Sequence, residues 1–216
     1  MHKEFARLGI SEPKTILCKT LEEASNINLP FPYLIKEEHS CSSNGVYKIS
    51  SKDELKRLVD SDFLNRNSTF ICQELINMRR DLRVIMVKNE IVLHYWRINK
   101  SNEWKPTATG FGSQVDFVNF PTHWKSFIID TFKKLNLTTG AFDIAWQNDD
   151  LSTVPIFLEV SPSYQPNPKV DLEKLKMDYG TFKKKLTLRV NYDKEFIKLF
   201  HQIQSKVTKD FVGYII

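Results

Sequence analysis

Two carboxylates, a lysine and two arginines carry the chemistry that this chain can offer. Asp143 lies in the run TGAFDIAW and Glu159 in PIFLEVS, two apolar, strand-like segments with one acid each. Strand residues two apart share a face. Asp143 is therefore expected beside Ala141 and Ala145, with Phe142, Ile144 and Trp146 turned away. Glu159 is expected beside Phe157 and Ser161, with Leu158 and Val160 opposite. If the two strands pair, the acids meet, and two neighbouring carboxylates repel unless a cation sits between them. Magnesium suits such a pair, because it takes one or two carboxylates and fills its shell with phosphate oxygens and water. Two solvent-facing acids on half-exposed strands are the alternative.

Lys36 ends the short apolar run YLIK, just before the small, polar stretch EEHSCSSNG. A lysine there can meet phosphate as a point charge while loop N–H groups aim at the same anion. A snorkelling lysine at a strand end is the plainer reading. CQELI, Gln73 to Ile76, offers backbone groups at a strand exit that can read an adenine edge. Asp81 and Arg83 share a face and can form a surface ion pair worth about 0–1 kcal/mol. Arg97, grouped with Ile91, Leu93 and Tyr95, needs an anion if it is enclosed.

The elements that must place these residues are legible from period and caps. Thr20-x-x-Glu23 and Ser51-x-x-Glu54 fit capping boxes and open short helices. YLIK and VYKIS form one hairpin, and TFICQELI a further strand. Residues 83–98 form a long hairpin turning near Lys88-Asn89. Residues 100–114 read as a mobile polar loop. A helix runs from Pro121 to about Leu135, with Trp124, Phe127, Ile128, Phe132 and Leu135 as its apolar stripe. TGAFDIAW and PIFLEVS follow as strands, split by QNDDLST. A last amphipathic helix is expected from Asp193. Hairpins without regular βαβ alternation favour an α+β fold.

Composition narrows the class. The chain has 216 residues, 41% hydrophobic and 26% charged, as in a soluble globular protein of one domain or two lobes. No apolar run is long enough to span a membrane, and MHKEFARLGISEPKT lacks a signal-peptide core. Three cysteines, Cys18, Cys41 and Cys72, without CxxC spacing argue against a disulfide framework or zinc site and for a reducing cytoplasm. The net charge of +5 suits anionic ligands such as nucleotides. Lys183–Lys185 is the clearest basic cluster. Without an RNP-like aromatic motif it reads as a solvated face, and nucleic acid is disfavoured.

Taken in order, these motifs resemble the ATP-grasp superfamily, in particular carboxylate–amine ligases of the ribosomal-protein glutamate ligase and glutathione synthetase type. The residues that carry the resemblance are Lys3, Gly9, Pro13 and Thr15 in HKEFARLGISEPKT, then Lys36 in PYLIKE, the loop SSNGV, the hinge CQELI, DLRV from Asp81 to Val84, Arg97, AFDI and FLEVSPS. They cover roughly residues 1–168. The resemblance implies two α+β lobes clamping a nucleotide, residues 1–76 and 77–168, followed by a C-terminal helical extension, 169–216. It implies ATP and Mg²⁺ as cofactors. Lys3, Lys36, Ser43, Gly45, Gln73, Glu74, Leu75, Ile76 and Asp81 would bind nucleotide: Lys36 at phosphate, Glu74 and Leu75 at adenine through their backbone, Asp81 at the ribose. Asp143, Glu159 and Ser161 would hold the metal. Arg97, with Arg83, would be catalytic, steadying the transferred phosphoryl group.

The implied activity is an ATP-dependent ligase forming a C–N bond through an acyl phosphate. Small-molecule or peptide carboxylates and amines would be its substrates. Three departures from the pattern leave alternatives open. Ser161 stands where the family has a metal-binding asparagine, with Asn167 near in sequence. The phosphate loop has a single glycine, Gly45, among Ser40, Ser42, Ser43 and Asn44. The family's usual N-terminal domain is expected to be replaced by a partner subunit, a homo-oligomer or the extension, or to be missing by truncation. A non-catalytic nucleotide-binding module, a phosphotransferase on the same scaffold and a basic interaction module through Lys183–Lys185 are the competing readings.

Overall fold

The computed structural model describes residues 1–37, 43–101, 103–116, 119–161 and 164. The helix expected from Asp193, Lys183–Lys185, Asn167 and the loop residues Ser40, Cys41 and Ser42 lie outside the described residues. Those described belong to one compact unit, Met1–Lys169.

Two antiparallel sheets organise this unit. The first has four strands: β1 (Thr15–Cys18), β2 (Tyr33–Glu37), β3 (Val46–Ile49) and β4 (Phe70–Glu74), in the order β1-β4-β2-β3. Alternation decides its faces. Tyr33, Ile35, Phe70 and Cys72 turn into a core, where they meet Ala24, Leu55 and Phe63. Those three come from helices α2 (Leu21–Ser25), α3 (Lys52–Leu58) and α4 (Ser61–Arg66). Both capping boxes form as expected. The Thr20 hydroxyl accepts from Glu23 N–H at 3.1 Å and the Ser51 hydroxyl from Glu54 N–H at 3.2 Å. Each glutamate reaches one residue further back than the usual box: Glu23 accepts from Lys19 N–H and Glu54 from Ser50 N–H, both at 2.6 Å. Helix α4, which the pattern did not reveal, opens on Asp60, whose carboxylate accepts from Phe63 N–H at 2.8 Å.

The second sheet runs β7-β6-β5-β8-β9, with β5 (Arg80–Val87), β6 (Glu90–Ile98), β7 (Gln114–Asp116), β8 (Thr139–Ala145) and β9 (Ile156–Ser161). Lys88 and Asn89 take φ of 49° and 65°, the double left-handed geometry that a two-residue hairpin turn needs. One face holds Leu82, Val84, Met86, Trp96, Phe142 and Ile144 against Ile128 and Phe132 of α5 (Lys125–Lys134). The helix α1 (His2–Arg7) adds Phe5 to this second core, although it precedes the first sheet in the chain.

Two bulges change the expected faces. Asp143 pairs with Glu159, but Ile144 pairs with Phe157, so Leu158 is an extra residue. Phe157 is therefore fully buried in the core with Phe142, not beside Glu159, while Leu158 turns to the opposite side. Likewise Ile85 pairs with Leu93 and Met86 with Ile91. Ile91 therefore packs on the core and does not share a face with Leu93, Tyr95 and Arg97. Period-2 reading fails at both places because each bulge inserts one residue. No helix among the described residues is long and apolar enough to cross a membrane.

Candidate active site

A cleft of about 800 Å³ lies between the sheet faces that turn away from the two cores. The first sheet contributes Leu34, Lys36, Ile71 and Gln73, the alternates of its core residues. The second contributes Asp81, Arg83, Tyr95, Arg97, Asp143 and Glu159. Asp143 and Glu159 are direct cross-strand partners, so the two acids do meet. Lys36 lies within electrostatic reach of both. Burial pulls its ammonium below the ordinary lysine range, and those two carboxylates oppose the shift.

The arginines are enclosed among acids. Arg97 Nε donates to Asp81 Oδ1 at 2.9 Å, a second bond joins Arg97 Nη2 to Asp81 Oδ2, and the same Nη2 lies 2.9 Å from Asp143 Oδ2. Arg83 Nη1 donates to Asp143 Oδ1 at 2.9 Å and to Oδ2 at 3.1 Å. The expected surface pair between Asp81 and Arg83 does not form. Cross-strand register aligns Asp81 with Arg97 and Arg83 with Asp143, and the network is buried. Burial pushes the Asp81 carboxyl up to about 6, against the pull of Arg97, and the Thr107 side chain also bonds it. Asp143 is equally enclosed, but Arg97 and Arg83 together outweigh burial and hold its carboxyl below the usual range. Lys36, Arg83 and Arg97 thus sit among Asp81, Asp143 and Glu159 on the cleft floor. The Arg83 Nε–H remains buried without a partner, an unspent donor for an anion.

The hinge is only partly free. Glu74 N–H donates to Lys14 O at 2.9 Å, and its carboxylate accepts from Lys14 N–H at 3.2 Å. Leu75 carries no backbone hydrogen bond of this kind among the described residues, so it keeps the groups that an adenine edge needs. Gln73 is 1% exposed and spends its amide on the Thr15 hydroxyl at 2.9 Å, so it pins β4 to β1. The segment after the hinge is stapled to the β8–β9 turn, with Asn77 and Asn148 exchanging two bonds of 2.7 Å. Ser43, Ile76 and Ser161 line the cleft. Lys3 and Gly45 do not: Lys3 is exposed on α1, and Gly45 accepts from Glu37 N–H at 2.9 Å to close the β2–β3 hairpin.

A divalent cation finds two carboxylates here and no third Asp, Glu, His or Cys among the described residues. Glu159 is exposed, and its Oε1 accepts from the Ser161 hydroxyl at 2.5 Å. Asp143 is the less available of the two because both of its oxygens already face guanidinium groups. This donor set fits one hard cation whose remaining oxygens come from phosphate and water.

Residues 103–114, part of the expected mobile polar loop, form a wall of the cleft. Thr107, Ala108 and Ser113 are buried, and Trp104, Lys105, Pro106 and Phe111 face the cleft. The sequence signal for this was available but unused: Trp104 and Phe111 are large apolar residues in an otherwise polar stretch.

Two helix-backed sheets enclosing a charged cleft define an ATP-grasp fold, and the comparisons agree. Residues 1–187 match the RimK-like ATP-grasp domain, and the chain belongs to that family. A coenzyme gamma-F420-2:alpha-L-glutamate ligase of Methanococcus maripaludis is 26% identical over 166 residues, which is 71% of this chain and 55% of the relative. A tetrahydromethanopterin:alpha-L-glutamate ligase of Methanocaldococcus jannaschii is 23% identical, covering 68% of this chain and 53% of that protein. The chain thus spans about half the length of these relatives. Among solved structures, a D-alanine–D-alanine ligase of Bacillus anthracis aligns with a TM-score of 0.64 at 13% identity, covering 97% of this chain and 67% of that one. A RimK-domain ATP-grasp protein of Sphaerobacter thermophilus gives 0.56 at 14% identity, covering 81% and 60%.

Proposed function

We propose that this chain is the nucleotide-clamping and catalytic part of an ATP-dependent carboxylate–amine ligase. The observation that carries the reading is the facing of Asp143 and Glu159 across two paired strands, with Lys36 of the other sheet in reach. Glutamate ligation by the two archaeal relatives and the shared family support the same class. Adenine would sit against the hinge at Leu75, between Leu34 and Ile71 on one side and Leu158 on the other. Lys36 would meet the phosphates. Glu159 and Asp143 would hold Mg²⁺, which neutralises phosphate charge when bound.

In the reaction, an oxygen of the substrate carboxylate attacks the γ-phosphorus and the bond to the ADP oxygen breaks. Arg97 and Arg83 offset the charge that gathers on the phosphoryl oxygens. The amine then attacks the acyl carbon, inorganic phosphate leaves with the bonding pair, and the amine sheds a proton. Bound substrates filling the cleft would keep water from the acyl phosphate. The substrates would be small molecules or peptides, and a partner subunit or second copy would complete the acceptor side.

ADP and phosphate release, measured across a panel of amino-acid and peptide carboxylates with amine acceptors, tests this. Release is expected to require both substrates and to vanish in Glu159→Ala. ADP release that ignores the amine, or that survives this substitution, contradicts it. One observation favours a second reading, a module that binds nucleotide without turnover. The Ser161 hydroxyl already occupies Glu159, and two guanidinium groups occupy Asp143. That reading predicts binding of an ATP analogue with no ADP release under any substrate pair.

A further inference from the structure

We infer that the wall between β6 and β7 is a ring-binding subsite, and that the carboxylate substrate carries a planar aromatic group held by Trp104 and Phe111. The reaction assigned to that substrate rests on the ligase reading; the ring contact does not. Phe111 lines the cleft yet is 40% exposed, and Trp104, which lines the same cleft, is half-buried. Neither ring stacks on another aromatic side chain among the described residues. The other large aromatics of this half of the protein pair edge-on or tilted, as in Phe142–Phe157 at 4.8 Å and Trp96–Trp146 at 5.6 Å between ring centroids. Two unpartnered aromatic faces inside a cleft are apolar surface that a flat ligand can remove from water.

The wall is held in place. Asn99 N–H donates to Arg79 O at 2.8 Å and its amide to Lys105 O at 3.4 Å. Phe111 N–H and Ser113 N–H both donate to Ala108 O, at 2.9 and 3.2 Å. Thr107, buried, ties the segment to Asp81. The backbone that presents the rings is therefore pre-organised, which lowers the entropy lost when a ligand stacks.

Position and charge fix the ligand's orientation. Glu159 lies on β9, and the wall leaves β6, three strand spacings away, roughly 14 Å. Phosphates held at Glu159 leave the wall open. Arg83, on β5, stands between the two and keeps an unpartnered Nε–H, so the ligand's carboxylate points to it and its ring to the wall. Lys105, between the two aromatics in sequence, has no acidic partner among the described residues and adds a cation at the ring's edge.

Calorimetry with hippurate and with its saturated-ring counterpart, N-cyclohexanecarbonylglycine, tests the subsite, with and without Mg²⁺ and a non-hydrolysable ATP analogue. The two probes share charge and length and differ in the flat ring. Hippurate is expected to bind at least tenfold more tightly. Trp104→Ala and Phe111→Ala should each erase that preference, and Trp104→Phe should restore most of it, while binding of the ATP analogue stays unchanged in all three. Equal affinity for the two probes, absence of hippurate binding, or a preference that survives Trp104→Ala overturns the inference. Hippurate selectivity without any binding of the ATP analogue would instead remove the ligase reading and leave the ring subsite standing.

Discussion

Replacing Asp81 by asparagine should loosen Arg97 and cost both stability and turnover. Asp81 and Arg97 side chains are 2% and 12% exposed, and the carboxylate takes two bonds from the guanidinium. Removing one partner of a buried pair costs about 3–5 kcal/mol when the survivor is left alone. Burial already disfavours the Asp81 charge, so the cost of asparagine lies in the amide N–H that replaces one accepting oxygen and faces a guanidinium N–H, two buried donors without an acceptor; with Arg97 still held by Asp143 at 2.9 Å, about 2–3 kcal/mol is expected here. For a unit of this size, that lowers Tm by about 4–12 °C. A thermal and urea double-mutant cycle with Arg97→Met measures the coupling directly. The double variant should be less destabilised than the sum of the singles by at least about 1.5 kcal/mol. Additivity within about 0.5 kcal/mol would show that the pair is not an energetic unit and would undo the argument that Asp81 positions Arg97. A merely structural role would leave the acid limb of turnover unmoved, and the coupling predicts otherwise.

Four further outcomes follow from the same geometry. Turnover should fall as pH drops through about 6, because Asp81 then takes a proton and releases its hold on Arg97. Asp81→Asn should flatten that limb in a pH–rate profile. Stability should behave differently: with its native carboxyl raised, Asp81 binds a proton in the folded state first, so its own contribution rises as pH falls from about 6 toward the ordinary aspartate range. Asp143, held low, contributes stability above that range and loses it only at lower pH, which an acid-denaturation series separates. Gly140→Ala should destabilise by about 1–3 kcal/mol in urea unfolding, since a Cβ there would meet Phe132 at 3.1 Å and Val160 at 3.4 Å in the core. Lys36→Met should weaken an ATP analogue at least tenfold in a titration while leaving Tm within a few degrees.

Much of the scaffold was legible because its signals are local. Thr20 and Ser51 announce their helices through caps three residues away, and Lys88-Asn89 announces a hairpin through backbone geometry that few residue pairs accept. The meeting of Asp143 and Glu159 was also readable, since two short consecutive strands that pair as a hairpin leave few registers. Faces beyond a bulge were not readable. Phe157 and Ile91 fell on the wrong side because one unpaired residue shifts every later position, and nothing in the local sequence marks it. The partner of Asp81 was hidden for a different reason. Arg83 is two residues away and Arg97 sixteen, and only the β5–β6 register brings the distant one opposite. Gln73 matched a nucleotide-hinge motif, but its amide is spent on Thr15, a contact across 58 residues that pattern alone does not contain.

The clamp itself is tested most directly by calorimetric titration of a non-hydrolysable ATP analogue, with Mg²⁺ and with EDTA, on the wild-type chain and on Glu159→Ala. The account predicts Mg²⁺-dependent binding that Glu159→Ala weakens at least tenfold. Absence of binding, or binding indifferent to both the metal and Glu159, would contradict it.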